Sequence, residues 1–204
     1  MIDIETIRKQ LSKHVSFKVD NWHLTMWNEK DVRSTDSKNR IKELRNINIE
    51  RIEDRLNNTH KSIEPIQEDF VNNVVLNAGL QKGIDLLINA SSDRLDYNSL
   101  GTSSTAESVS QTNLQAEDSG GGYARRQFSV NGVRERVNQT MNLEMLWADT
   151  QVSAVPLAVK ESGVHWSSTG TTNCYSRAVF TTFTVQTSFL FYIAVAETHQ
   201  NGTL

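Results

Sequence analysis

The segment SFLFYIAVAE, residues 188–197, is apolar at alternate positions and at most of the positions between them. An extended chain with two apolar faces needs cover on both sides, so this segment marks a central strand with material above and below its sheet. Just before it, CYSRAVFTTFTV is another long run of β-branched and aromatic residues, separated from the first by Gln186 and Thr187. Upstream, MNLEMLW alternates Met141, Leu143, Met145 and Trp147 with Asn142, Glu144 and Leu146, the period of a half-buried strand. AVPLAVK and GVHW read as strands flanking a turn at Glu161-Ser162-Gly163. RRQFSVNGVRERV places Asn131-Gly132 between extended segments, and that dipeptide best tolerates the positive φ angles of a tight hairpin. Six or seven strands with short turns imply an antiparallel β-sandwich over residues 91–204.

The front of the chain follows another rule. Ile4, Ile7, Leu11 and Val15 recur at spacings of three and four, as in a short amphipathic helix. VSFKVDNWHLTMW then reads as a strand with Trp22, Leu24 and Met26 on one face. From Ser37, the positions Ile41, Leu44, Asn48, Ile52, Leu56, Thr59 and Ile63 repeat every 3.67 residues on average, the period of a straight helix. Its apolar stripe is thin, so the helix needs a neighbour or further copies of itself for stability, the alternative being an ordinary helix packed on the chain's own core. Pro65 interrupts it, and LNAGLQKGIDLLINA reads as a second helix with Leu80, Ile84, Leu87 and Ile88 on one face. The expected class is α+β: a helical attachment and oligomerisation arm at 1–64, a linking helix at 65–90, and the sandwich. On this reading, deleting residues 1–64 leaves a folded sandwich that no longer assembles.

Between the two regimes lies a stretch that neither explains. Residues 101–118, GTSSTAESVSQTNLQAED, contain no Phe, Ile, Met, Trp or Tyr. The whole chain is poor in apolar residues, at 37%, and only 22% charged, which leaves it rich in Ser, Thr, Asn and Gln without the charge dominance of a disordered chain.

A net charge of −3 gives no basic field for nucleic acid. Thirteen of the 21 Lys and Arg lie in residues 1–65, but eleven carboxylates share that region. MIDIETIRKQ lacks the basic and apolar regions of a secretion signal, and no run is long enough to span a membrane, so synthesis in a cytosol is expected. The single Cys174 excludes an intrachain disulfide.

Catalytic motifs are absent: there is no Gly-x-Ser-x-Gly, no His-Glu-x-x-His, no calcium loop and no Walker loop, and the five His are scattered. Neither a metal nor a cofactor is expected. Two groups of residues invite a binding role. Trp22 and Trp27 read either as the small core of an N-terminal subdomain or, with the stripe Ile41, Leu44, Ile52, Leu56 and Ile63, as partner-interface anchors. Arg125, Arg126, Arg134 and Arg136 would be drawn together by the Asn131-Gly132 turn, either as a patch for an acidic subunit or glycan or as independent edge charges.

Residues 74–196 resemble a group of small β-rich structural proteins of tailed bacteriophages and related prophages. The likeness is carried by VVLNAGLQKGIDLLINASSDRLDYNSLGTSSTAESVSQTNLQAED, in which Asn77, Ala78, Gly79, Tyr97, Leu100, Gly101, Thr102, Thr105, Thr112, Leu114 and Glu117 occupy matching places. Lys160 to Val164 and Ser176 to Phe180 match later strands, while Ser103 and Ser104 replace a Gly-Thr pair. The resemblance implies a non-enzymatic virion protein: a tail fibre, adaptor or baseplate component, or else a capsid decoration or head-fibre protein. It implies that residues 101–118 form an ordered connector running along the sandwich. The expected partners are copies of the chain, with a trimer as the natural guess, and other virion proteins, with a host-surface glycan as a further candidate. A carbohydrate-binding module is the rival from another class, with Trp147, Trp166 and Tyr175 as its sugar platform.

Overall fold

The computed structural model describes residues 21–57, 59, 62–79, 82, 93–137, 140–148 and 155–198. The helix expected over residues 2–15 and most of the one expected over 77–89 lie outside these residues. The described chain is mostly β. It forms two five-stranded antiparallel sheets.

In chain order the elements are β1 (Asn21–Asn28), α1 (Ser37–Asn57), β2 (Gln67–Asn72), β3 (Val74–Val75), β4 (Tyr97–Gly101), β5 (Arg126–Gln127), α2 (Phe128–Asn131), β6 (Val133–Val137), β7 (Thr140–Ala148), β8 (Leu157–His165), β9 (Cys174–Val185) and β10 (Phe189–Thr198). The first sheet has the order β2-β1-β10-β7-β6 and the second β3-β9-β8-β4-β5. β10 is therefore the middle strand of its sheet, as its two apolar faces require. One face, Phe191, Ile193 and Val195, joins Trp22, Leu24, Met26, Leu143, Met145 and Trp147 in the core. The opposing sheet supplies Leu100, Val159, Val164, Ala178, Phe180, Phe183 and Val185. Phe183 and Phe191 meet across the gap with ring centroids 4.9 Å apart.

The other face of β10, Leu190 and Tyr192, joins Trp27, Leu146 and Ala148 against Val32, Ile41 and Leu44, so α1 lies on the outside of the first sheet. The thin stripe of α1 is completed by ions. Arg45 reaches Glu144 at 2.7 Å, and Arg51 reaches Glu68 at 2.8 Å while its guanidinium sits 5.6 Å from the Trp27 ring centre.

Several expectations are corrected by this arrangement. The front of the chain is not a separate arm, because β1 pairs along its length with β10 on one side and β2 on the other. Deletion of residues 1–64 would remove a strand from the interior of the first sheet together with the helix that covers it, so it would unfold the sandwich. The residues after Pro65 form β2 and β3 in place of the start of a linking helix. Glu161-Ser162-Gly163 is no turn but lies within the strand β8, paired in that order with Gly101, Leu100 and Ser99 on β4. Asn131-Gly132 is no hairpin either. Phe128 to Asn131 make one helical turn whose start is held by Asp96, which accepts from the Ser129 amide at 2.8 Å and the Ser129 hydroxyl at 2.6 Å. That turn carries the chain from β5 in one sheet to β6 in the other. Gly132 lies so close to β7 that a Cβ on it would sit 2.1 Å from the Glu144 carbonyl oxygen.

Candidate functional site

Among the described residues, no helix comparable to α1 lies on the outer face of the second sheet. Its cover is the polar stretch itself, a strap from residue 102 to residue 125 with almost no regular structure. Beneath it lie Ser99 and Gly101 of β4, Glu161, Gly163 and His165 of β8, and Cys174 and Arg177 of β9, all fully buried. The only large apolar side chain the strap sets into this floor before Tyr123 is Leu114. Polar groups provide the adhesion.

At the centre is the ion pair Glu161–Arg177, with a separation of 2.7 Å and both side chains at 0% exposure. Bare charges at such a site would be prohibitive, and the pair is tolerated because every arm is satisfied. Glu161 accepts from the amides of Gln115 (3.1 Å) and Ala116 (2.7 Å), while Arg177 donates to the Thr105 carbonyl (2.8 Å) and Gln111 Oε1 (3.0 Å). Both partners thus reach through the sheet surface to hold the strap. At its far end Arg125 folds back and donates to Glu117 at 2.6 and 2.7 Å, Asn113 Oδ1 at 2.9 Å, the Ser167 and Gly170 carbonyls at 3.1 and 2.7 Å, and Asn173 Oδ1. Burial would raise the Glu117 carboxyl, but hydrogen bonds from Arg125 and Asn113 outweigh it and hold it below the usual carboxylate range. Gly121 and Gly122, at φ 55° and 91°, let the strap turn toward Tyr123 in backbone conformations that disfavour other residues.

His165 lies under the strap in a chain of hydrogen bonds. Its Nδ1 is 3.3 Å from Asn173 Oδ1 and its Nε2 is 2.6 Å from Ser99 Oγ. Asn173 Oδ1 already accepts from Arg125, and its amide nitrogen donates to the Thr169 carbonyl. That orientation leaves Oδ1 only able to accept, so His165 carries its proton on Nδ1 and Nε2 accepts from the Ser99 hydroxyl. Burial, helped by the Arg125 charge and opposed in part by Glu117 and Asn173, pushes the imidazole down to about 3. The order Ser99, His165, Asn173 is that of a nucleophile, a base and an orienting group. Ser99 and His165 are both at 0% exposure, so no substrate reaches them in this conformation. The sequence reading missed this cluster because its members lie far apart in the chain and match no local motif.

The expected arginine patch does not form. Arg125 is the strap's buried hub, and Arg126 lies with its guanidinium 5.2 Å from the Trp147 ring centre, where burial lowers its pKa. Arg134 stands 3.8 Å from Asp96, and Arg136 is exposed on β6, in the other sheet. The expected interface anchors divide in two. Trp22, Trp27, Ile41 and Leu44 are fully buried within the chain, where they hold the sandwich together and offer nothing to a partner. Ile52 is half-buried, whereas Leu56 and Ile63 are about half exposed, and the sequence reading overlooked Ile66 and Phe70 beside them, with Phe70 at 59%. Phe70 stacks on His23 at 4.2 Å, and Arg55 bridges Glu64 and Glu68 among these apolar side chains. The proposed sugar platform is also corrected: Trp147 and Tyr175 are buried, and Trp147 donates to Asn98 Oδ1 at 2.8 Å across the core.

An open cleft of about 510 Å³ lies where β1 passes into α1, lined by Asn28, Lys30, Arg33, Arg40 and Ser188 among others. Its most inward cation, Arg40, is already held by Glu29 at 2.5 Å and by the Ser34 carbonyl at 2.6 Å. Among the described residues, no group of three or more His, Cys, Asp and Glu is arranged to hold a metal ion. Likewise, no described helix is long and apolar enough to cross a membrane.

The class these features define is an antiparallel two-sheet sandwich with a helix on one outer face and an ion-tethered strap on the other. No protein-family model matches the chain, and no curated protein or solved structure matches it either.

Proposed function

We propose that the protein is a non-enzymatic structural component of a tailed-phage particle, most simply a tail-associated fibre, adaptor or baseplate part. The observation that carries this reading is the strap. A Ser/Thr-rich segment is held in one shape on the outside of a sandwich by charges spent on its backbone, on amide side chains and on one another, as suits a surface meant for display. The inward orientation of Ser99, His165, Cys174, Glu161 and Arg177 favours a structural role for them over catalysis.

Attachment to neighbouring subunits falls to Ile52, Leu56, Ile63, Ile66 and Phe70, large apolar side chains left partly or largely open at the end of α1 and around β2. A homotrimer is the assembly expected. The test is to purify particles from an infected or induced culture and probe them for the chain by mass spectrometry and by gold-labelled antibody. Label at the tail supports the assignment, label on the head replaces it with capsid decoration, and a chain abundant in the lysate but absent from particles overturns both.

A further inference from the structure

We propose that the strap is an acid-releasable cover, with His165 as the group that loosens it. The geometry leaves no place for a second proton on this ring. Asn173 Oδ1 already accepts from both Nδ1 and Arg125, and Ser99 Oγ faces Nε2 at 2.6 Å with its own proton on that bond. A doubly protonated ring would force the Ser99 hydroxyl to turn away and would set a second cation beside the Arg125 guanidinium in a dry site.

The charged and titratable groups facing His165 come from each element packed there. The strap contributes Glu117 and Arg125, the turn before β9 contributes Asn173, and β9 contributes Cys174, behind which lie Arg177 and Glu161; β4 brings only the Ser99 hydroxyl, with Tyr97 in register opposite His165. Glu117 is held below the ordinary carboxylate range, so it stays ionised down to pH 5 and does not drive the change. The imidazole and Leu114 of the strap crowd the same spot: a Cβ on Gly163 would lie 2.8 Å from His165 Nε2 and 3.0 Å from Leu114 Cδ2. Lifting the strap therefore bares the ring to water. The strap can lift alone because the sandwich core is built on the opposite face of the sheet and needs none of the strap's contacts before Tyr123.

Linkage fixes the size of the effect. A group at about 3 under the strap that returns to about 6.5 when the strap opens raises the opening constant about 30-fold between pH 7.5 and pH 5. The sign is that of a depressed base: closure is favoured above pH 6.5 and weakens progressively as pH falls toward 3.

Hydrogen exchange on the full chain, corrected for intrinsic rates, reads this directly at the amides of Gln115 and Ala116. The expected result is protection below that of β10 at both pH values, with a fall of about 30-fold from pH 7.5 to 5. His165→Gln, which can still accept and donate one hydrogen bond each, should abolish most of that fall. A second readout needs no variant: Cys174, the only thiol, lies under the strap, and its labelling by dithiodipyridine relative to unfolded chain should accelerate in parallel. Strap amides as protected as β10 at both pH values, or His165→Gln retaining the full pH dependence, would overturn the proposal.

Discussion

Replacing Arg177 with Met removes a charge from a site with no access to water and leaves its partner behind. The wild-type guanidinium makes three contacts, to Glu161 at 2.7 Å, Gln111 at 3.0 Å and the Thr105 carbonyl at 2.8 Å. Glu161 keeps the Gln115 and Ala116 amides but loses its countercharge, and breaking a buried pair in this way costs about 3–5 kcal/mol. For a chain of this length that corresponds to a fall in Tm of roughly 6–20 °C. Calorimetry at pH 7.5 is the assay, together with the double variant Glu161→Leu/Arg177→Met. The double variant should lose less than the sum of the two single variants by roughly 1.5–3 kcal/mol, because the second substitution removes the stranded charge. A single variant melting within 2 °C of wild type, or strict additivity, would refute the claim that this pair is the strap's anchor.

Three other outcomes follow from the same structure. Trp22→Ala should destabilise the isolated chain by about 3–5 kcal/mol in urea titration, since the indole is a core group at 0% exposure; loss of assembly with unchanged stability would contradict its placement. Leu56→Glu/Ile63→Glu should leave Tm within a few degrees of wild type and lower the assembled mass in light scattering, because both side chains are about half exposed. Burial would raise the Glu68 carboxyl, but bonds from His23 and Arg51 and the Arg51 charge hold it far below the usual range. The stability it contributes is therefore present above about pH 4.5 and drains away below it, and Glu68→Gln should flatten that limb of the stability curve measured by denaturant titration.

What the sequence made legible depended on where each residue's partner lies. β7 and β10 were readable because a strand's faces are written in its own alternation, and Ser37 marked the start of α1. Glu161-Ser162-Gly163 misled because a charge beside small residues ordinarily means a turn, and the guanidinium that buries Glu161 stands sixteen residues away on β9. Asn131-Gly132 misled for a similar reason: Asp96, remote in the chain, fastens Ser129 and converts a hairpin signal into a helical turn. Trp22 and Trp27 read as candidate interface anchors because much of what buries them comes from β7 and β10, more than a hundred residues downstream, with α1 completing the cover of Trp27. The buried row of Ser99, His165 and Asn173 left no local trace at all, since a sheet register brought it together.

The strap is gripped mainly by its main chain. Arg177 takes the carbonyl of Thr105, Glu161 the amides of Gln115 and Ala116, the Asn77 amide the carbonyl of Val109, and the Cys174 amide that of Thr112. The side chains at Ser104, Thr105, Ala106, Ser108, Val109 and Ser110 point to solvent and do not serve those grips. Such a surface can be rewritten residue by residue while the loop's path stays the same.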